Sequence, residues 1–525
     1  MAETQEIGGD VASKAQEYPN EGWILAATIL VSSMAFIDGS ALNVALPVIQ
    51  TSLNASGAQL LWVINAYLLM LASLILVGGS LGDRLGRRKV FMAGSALFIL
   101  ASLACGISPS IERLIGARVI QGIGGAMMIP GSLAIISASL APNRRGKGIG
   151  TWSAATTLVM VAGPVLGGFL ADHGLWRGVF LINLPLGIAA LIILATKVPE
   201  SRDETVKGRL DLGSFLLNVV GLGSLTYGFI SAPDLGFSDT RVWGTLTVGI
   251  FCLLVFIWWE SQVKNPMLPL ELFRSRTFSG TNLLTLFLYG ALAVMSFFLS
   301  LNLIQVQGYS KTQAGLAFLP FVVLLTLLSR WAGGLVDRSG PRLPLILGPT
   351  IVGLGFLWTA FTGVTPGPQA YWTTFFPGMT LVGVGMGLVV APLTTSVMGS
   401  VPNHYSGTAS GVNNAVSRTA GVLAIAIIGA LALILFSNTL QSQASPLHLP
   451  PQAQSDLQRE AKNLAGAQPP ASVGKQNRQA VEKAIKISFT EAFKIVFIVN
   501  AVLAFLSALM AFFLVENDYR RSAER

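Results

Sequence analysis

Charge is what this sequence has least of. Only 11% of its 525 residues are Asp, Glu, Lys or Arg, against 52% hydrophobic, whereas a soluble globular chain carries about 25% charge. That shortfall excludes a soluble enzyme, a disordered chain and a small secreted module. Cysteine and histidine are scarce too. Cys105 and Cys252 both lie inside apolar stretches, and His173, His404 and His448 fall in loops far apart, so neither a disulfide framework nor a metal cluster has the residues it needs. No paired carboxylates and no nucleophile beside a base appear. Two glycine clusters, Gly122, Gly124, Gly125 and Gly383, Gly385, Gly387, sit inside apolar runs with no strand before them, which a dinucleotide loop requires. The composition therefore describes a polytopic membrane protein that is not an enzyme, carries no cofactor or metal, and has the lipid bilayer as its first partner.

What is present is a set of long apolar runs. A spanning helix needs about 20 predominantly apolar residues, and fourteen runs qualify: 23–47, 59–79, 90–108, 112–137, 150–171, 179–196, 212–231, 243–260, 278–305, 314–333, 343–363, 372–396, 407–436 and 490–515. An even number places both termini on one side. The net charge of +9 would suit nucleic acid if the bases formed one patch. They instead form short clusters between apolar runs, the pattern by which membrane proteins record orientation, and no nucleic-acid partner is expected. With the N-terminus inside, 22 of the 34 bases fall on the inner side, Arg418 among them, and 11 outside; Arg118 lies within a run. The bias puts both termini in the cytoplasm of a cell whose plasma or inner membrane the chain crosses.

An internal repeat orders the runs. Gly79, Leu81, Asp83, Arg84, Gly86 and Arg88 recur 254 residues later as Gly333, Leu335, Asp337, Arg338, Gly340 and Arg342. The fold class expected is thus all-α, fourteen transmembrane helices arranged 6 + 2 + 6 with parallel repeats, an arrangement used by transporters. The divisions are a tail (1–22), a first six-helix half (23–196), a linker with two extra helices (197–277), a second half (278–515) and a tail (516–525). The second half includes an extracytoplasmic loop, 438–489, with one short amphipathic helix near Val481 to Ser488.

Seven motifs resemble one family. GSLGDRLGRRK (Gly79 to Lys89) resembles the loop signature of the major facilitator superfamily. DGSALNVALP (Asp38 to Pro47), RVIQGIGGA (Arg118 to Ala126) and GPVLGG (Gly163 to Gly168) agree with its fourteen-helix drug:proton antiporter branch, and so do WRGVFLINLPLG (Trp176 to Gly187), NPMLPLELFRSRTF (Asn265 to Phe278) and GTASGVNNAVSR (Gly407 to Arg418). The resemblance implies a major facilitator fold and a multidrug efflux transporter that exchanges protons for a small lipophilic substrate, with the proton gradient as its energy source. It implies a cytoplasmic gate at Gly79, Asp83, Arg84, Gly86, Arg87 and Arg88, in which Asp83 pairs with an arginine and with the start of the thirteenth helix near Gly407. It implies an antiporter hinge at Gly163, Pro164, Gly167 and Gly168, and coupling roles for Asp38 and Arg118. An exporter of an endogenous lipid or metabolite, or a proton-coupled importer, would use the same machinery.

Asp38 stands out without the family. An ionised carboxylate inside a bilayer is expensive and needs a partner or a polar cavity. Asp38 lies nine residues from Pro47 and Arg118 six from Glu112, ~13 Å and ~9 Å along their helices at about 1.5 Å per residue, so an arginine side chain bridges the difference. Burial favours the neutral acid and a nearby cation favours the carboxylate. An arginine that moves would switch proton affinity. Gln121, one turn from Arg118, and Asn43, five residues from Asp38, are positioned to extend the polar network. The 254-residue offset takes the pair to Leu292 and Trp372, so the charges belong to one half. Trp152, Asn282, Tyr289, Phe297, Asn302 and Gln305 are candidates to line the substrate cavity, since aromatic and amide groups suit flat lipophilic molecules. A chain that carries both halves is expected to act as a monomer.

Overall fold

A computed structural model describes residues 20–140, 142–202, 211–263, 266, 268–402 and 405–517. With no water in the bilayer core, each spanning segment must satisfy its own backbone polar groups, and the apolar runs all form helices. There are fourteen candidate spans: Glu21–Leu53, Gly57–Leu85, Arg87–Gly106, Ile111–Ser139, Lys147–Asp172, Gly178–Lys197, Gly213–Leu235, Thr240–Gln262, Arg276–Val306, Lys311–Leu335, Arg342–Ala360, Phe375–Gly399, Thr408–Leu447 and Lys475–Leu514. They are numbered 1 to 14 below. The side bearing the turn between spans 2 and 3 is called the basic face and the opposite side the loop face.

Polar residues at the loops set where the helices begin. Ser56 accepts a hydrogen bond from the Gln59 N–H while the Gln59 side chain accepts one from the Ser56 N–H, a reciprocal cap that opens span 2. Ser310 and Gln313 repeat the device at span 10. Asp211, just before span 7, accepts from the Ser214 backbone and hydroxyl and from the Trp259 indole of span 8. Burial works against its charge, but these donors prevail and hold its pKa below the usual value.

Packing within each half relies on missing side chains. In the membrane the hydrophobic effect gives helices no reason to associate, so close backbone approach through small residues takes its place. A Cβ on Gly94 would sit 3.0 Å from the Gly124 carbonyl oxygen, and one on Gly124 2.9 Å from that of Gly94, which locks span 3 to span 4. Half two repeats this contact: a Cβ on Gly348 would lie 2.7 Å from the Gly385 carbonyl. The first members are 254 residues apart and the second 261, because the connection between spans 11 and 12 is longer than that between spans 3 and 4. The simple 254 offset therefore fails in span 12. Trp372 lies outside the span, 68% exposed in the short segment Pro368–Thr373, and the counterpart of Arg118 is the buried Met379. The second half still has an apolar residue where the first has a charge.

Spans 7 and 8 pack on each other and against the seam where the halves meet through spans 2 and 13, with Leu222 buried among Leu69, Ala72 and Val422. The segment 438–489 departs from the expected loop. Span 13 runs on to Leu447, a helix missed in the sequence covers Pro451–Glu460, and residues 481–488 belong to the start of span 14 rather than to a separate helix. The charges of Lys475, Lys483 and Lys486 interrupt the apolar run without interrupting the helix.

Gly124→Val should lower the thermal unfolding temperature in detergent, because overpacking of this kind costs about 1–3 kcal/mol. Gly116→Ala, where a Cβ meets nothing within 4 Å, should leave it unchanged. Equal behaviour of the two variants would mean that the backbone contact does not hold spans 3 and 4 together.

Candidate functional site

Among the described residues the first half buries one ion pair. Asp38 on span 1 is 0% exposed and Arg118 on span 4 is 1% exposed, and the Arg118 Nη1 donates to Asp38 Oδ2 at 2.5 Å. Glycine makes this reach possible. A Cβ on Gly122 would stand 2.5 Å from the Tyr67 carbonyl oxygen, so its absence lets span 2 lie directly on span 4. One turn away the same approach brings the Val63 carbonyl to the Arg118 Nε at 3.0 Å, and the Tyr67 ring lies 4.3 Å from the guanidinium carbon in cation–π geometry.

Gln121 completes the pair. Its amide donates to Asp38 Oδ1 at 2.9 Å and to the Ser102 hydroxyl at 3.0 Å, while its carbonyl accepts from Arg118 at 2.7 Å. Asn183 of span 6 donates to Ser102 at 3.2 Å. Five spans thus converge on one carboxylate. Asn43 does not join them: its amide donates to the Gly39 carbonyl of its own helix, because five residues along a helix turn it to another face. Ser102, Asn183, Tyr67 and the Val63 carbonyl were not singled out in the sequence, where neutral residues and backbone give no signal.

The basic-face turn shows the arginine partner expected for Asp83. Asp83 pairs with Arg87 within the turn at 2.8 Å, and among the described residues no bond joins it to its other expected partner, the start of span 13 near Gly407. Gly86 has φ of +111°, which favours glycine, and a Cβ there would stand 2.7 Å from the Glu200 carboxylate. Glu200 accepts from the Arg88 and Lys89 N–H groups at 3.0 and 3.2 Å, a carboxylate at the start of span 3, and Arg88 donates to the Val198 carbonyl. The chain leaving span 6 is thereby docked on the turn. Arg84 lies in the last turn of span 2, and a Cβ on Gly79 would meet Pro130 at ordinary contact distance, 3.7 Å.

GPVLGG lies in span 5 and serves two neighbours. Side chains on Gly163 and Gly167 would collide with Ser40 and Ala41 of span 1, and one on Gly168 with the Lys311 carbonyl of span 10; one on Gly315 would collide with the Pro164 carbonyl in turn. Four residues on, Asp172 accepts from the Lys311 N–H at 3.0 Å, the Thr312 N–H at 2.8 Å and the Thr312 hydroxyl at 2.6 Å. Gln305 donates to Gln50 at 3.0 Å, and Gln50 to the Asn463 carbonyl at 2.9 Å. These contacts join the halves at the loop face. Toward the basic face Ser153 and Ala154 of span 5 and Asn414 of span 13 are exposed.

The cavity candidates scatter. Phe297 and Asn302 are fully buried, Phe297 against Phe298 and Asn302 in a π-helical turn, so neither faces a cavity here. Gln305 belongs to the loop-face closure. Asn282 is buried and bonded to Asn413. Trp152 and Tyr289 are half-buried, the former donating to the Ser32 hydroxyl at 3.0 Å. Two charges are also placed differently from the sequence reading. Arg418, assigned to a basic-face loop, sits inside span 13, and Glu260, near the end of span 8, is a buried acid that accepts from the Leu268 N–H at 2.9 Å.

Residues 28–425 match the family model of the Major Facilitator Superfamily, and the chain belongs to that superfamily, among its multidrug efflux transporters. It is 35% identical over 423 residues to the multidrug resistance protein Stp of Mycobacterium tuberculosis (strain CDC 1551 / Oshkosh), covering 79% of this chain and 77% of that one. It is 30% identical over 508 residues to the tetracenomycin C resistance and export protein of Streptomyces glaucescens, covering 95% and 93%. Its fold is similar to that of a bacterial homologue of the human lysosomal transporter Spinster, solved inward-facing and unoccupied. There the TM-score is 0.66 at 19% identity, over 95% of this chain and 99% of that one.

Breaking a buried pair from one side costs about 3–5 kcal/mol because a charge is left uncompensated. The two sides are not equal. A carboxylate can take up a proton and become neutral, whereas a guanidinium stays charged. Asp38→Asn should therefore lower the unfolding temperature more than Arg118→Gln, and the difference should grow smaller when Arg118→Gln is measured at high pH. Equal losses at every pH would show that the pair is not the source of the cost.

Proposed function

We propose that this transporter is a proton-coupled antiporter that exports lipophilic or amphipathic compounds across the cell membrane by alternating access. The observation that carries the reading is the buried Asp38–Arg118 pair. Among the described residues Asp38, Arg118 and Glu260 are the buried charged groups, and of these only Asp38 and Arg118 lie far from the ends of their spans. A proton on Asp38 cancels its attraction for Arg118. The guanidinium is then held by Val63, Gln121 and the Tyr67 and Phe180 rings, which frees span 1 to move relative to spans 2 and 4. Protonation becomes movement at the place where span 1 also meets Gly163 and Gly167.

The loop-face contacts supply the other half of the cycle. Asp172 with Lys311 and Thr312, together with Gln50 with Gln305, hold that face shut. With Arg418 moved into a span, 21 bases remain on the basic face against 11 on the other, which makes the basic face cytoplasmic and this conformation inward-facing. Substrate enters from the cytoplasm, the loop-face contacts part, and an external proton reaching Asp38 accompanies release and return. The names of the two relatives, a multidrug resistance protein and a tetracenomycin C resistance and export protein, support a drug-like substrate and outward transport. One chain holds both halves, so a monomer suffices.

Asp38→Asn should abolish concentrative export by proteoliposomes under an imposed pH difference while exchange of labelled for unlabelled substrate persists, since an amide keeps the shape but carries no exchangeable acid proton. Accumulation by the variant at the wild-type level would remove Asp38 from the coupling role.

A further inference from the structure

Arg418 is a cation in mid-membrane with no counter-ion among the described residues. Its depth follows from the contacts of span 13 with span 2: a Cβ on Gly411 would meet Leu76, and one on Gly421 would meet Leu68. Arg418 lies between these levels, opposite the middle of span 2, which runs from Gly57 to Leu85. Its guanidinium forms no ion pair and no hydrogen bond among the described residues, although the residue is only half-buried. A charge at that depth faces a partner or a water-filled cavity.

Its surroundings face both halves. Arg418 is electrostatically close to Tyr67 of span 2 and to Tyr289 of span 9. Asn413, on a neighbouring face of span 13, is bonded to Asn282 and Thr285 at 3.2 and 2.8 Å, which fixes the rotation of the helix. Asn414, one turn from Arg418 on the same face, is exposed. The row therefore lies on an accessible side of span 13, the helix that packs on span 2 of one half and span 9 of the other.

We propose that Arg418 is a substrate-binding residue that selects lipophilic anions, holding a carboxylate, sulfonate or phenolate while the Tyr67 and Tyr289 rings flank the apolar body. A planar guanidinium suits such groups through paired hydrogen bonds. Asp38 already has Arg118 as its partner and Arg418 forms no ion pair with it, so substrate and proton do not contend for one charge; their coupling is conformational. The proposal deepens the export reading by naming its substrate class. If the substrate is an anion, a proton entering and an anion leaving move two charges in the same electrical sense, and export responds to membrane potential as well as to the pH difference.

The test uses two fluorescent probes of nearly equal shape, anilinonaphthalene sulfonate and neutral phenylnaphthylamine, titrated into the full-length protein in nanodiscs with empty nanodiscs subtracted. Arg418→Gln should weaken saturable binding of the sulfonate at least tenfold and change the neutral probe less than twofold, while Arg418→Lys should retain most sulfonate affinity. If Arg418→Gln does not fold, Arg418→Met, which keeps the apolar bulk of the stem, reads the same ratio. Equal losses for both probes, or no loss for the sulfonate, would overturn the proposal. No gradient is involved, so that result would leave coupling by Asp38 standing. Loss of coupling in Asp38→Asn would equally leave this selectivity intact.

Discussion

The structure of the first half depends on keeping one carboxylate inside the bilayer. An isolated ionised acid would be neutralised or expelled, and Asp38 escapes both because span 4 brings it a cation and an amide that three further spans hold in place. Arg118 and Gln121 arrive from span 4, Ser102 holds Gln121 from span 3, Asn183 holds Ser102 from span 6, and Val63 and Tyr67 hold Arg118 from span 2. The apolar surroundings make each of these bonds worth more than it would be in water, and make a missing one correspondingly costly. That combination holds the site tightly while the pair is intact, and in the proposed antiport cycle protonation of the acid is what would loosen it.

Glycine is the means by which the site is reached. Gly122 allows span 2 to approach, Gly94 and Gly124 bring span 3, and Gly163 and Gly167 bring span 5 against span 1. The same residues that allow tight packing also allow sliding, since no side chain interlocks across these contacts. The second half repeats the glycine contacts without the charges, with Met379 where Arg118 stands in the first. Among the described residues the buried charge pair therefore belongs to one half alone.

Much of this was legible in the sequence, for physical reasons that also mark the limits. All fourteen spans were legible because the bilayer demands long uncharged runs. Asp38 and Arg118 were legible because charge inside such a run is rare, and Gln121 because it lies one turn from Arg118. Helix ends outside the membrane carry no such demand, so the extension of span 14 back to Lys475 and the helix Pro451–Glu460 were missed. Neutral partners such as Ser102 and Asn183 resemble any other buried polar residue. The cavity candidates failed where burial decided: Phe297 and Asn302 have suitable chemistry but point into packed protein. Arg418 was misplaced because it closes a polar stretch beginning at Pro402, which reads as a loop; only its packing against span 2 shows that it lies at mid-membrane.

The central claim is that Asp38 takes up and releases a proton inside the membrane while Arg118 remains charged. Difference infrared spectroscopy of the purified protein, recorded as the medium is acidified, measures this directly through the carbonyl stretch of a buried carboxylic acid. The account predicts that one such band rises in the wild type, is absent in Asp38→Asn, and comes with a change in the guanidinium bands as Arg118 loses its partner. A band that persists in Asp38→Asn, or a wild type in which no buried acid gains a proton over the range where transport operates, would contradict it.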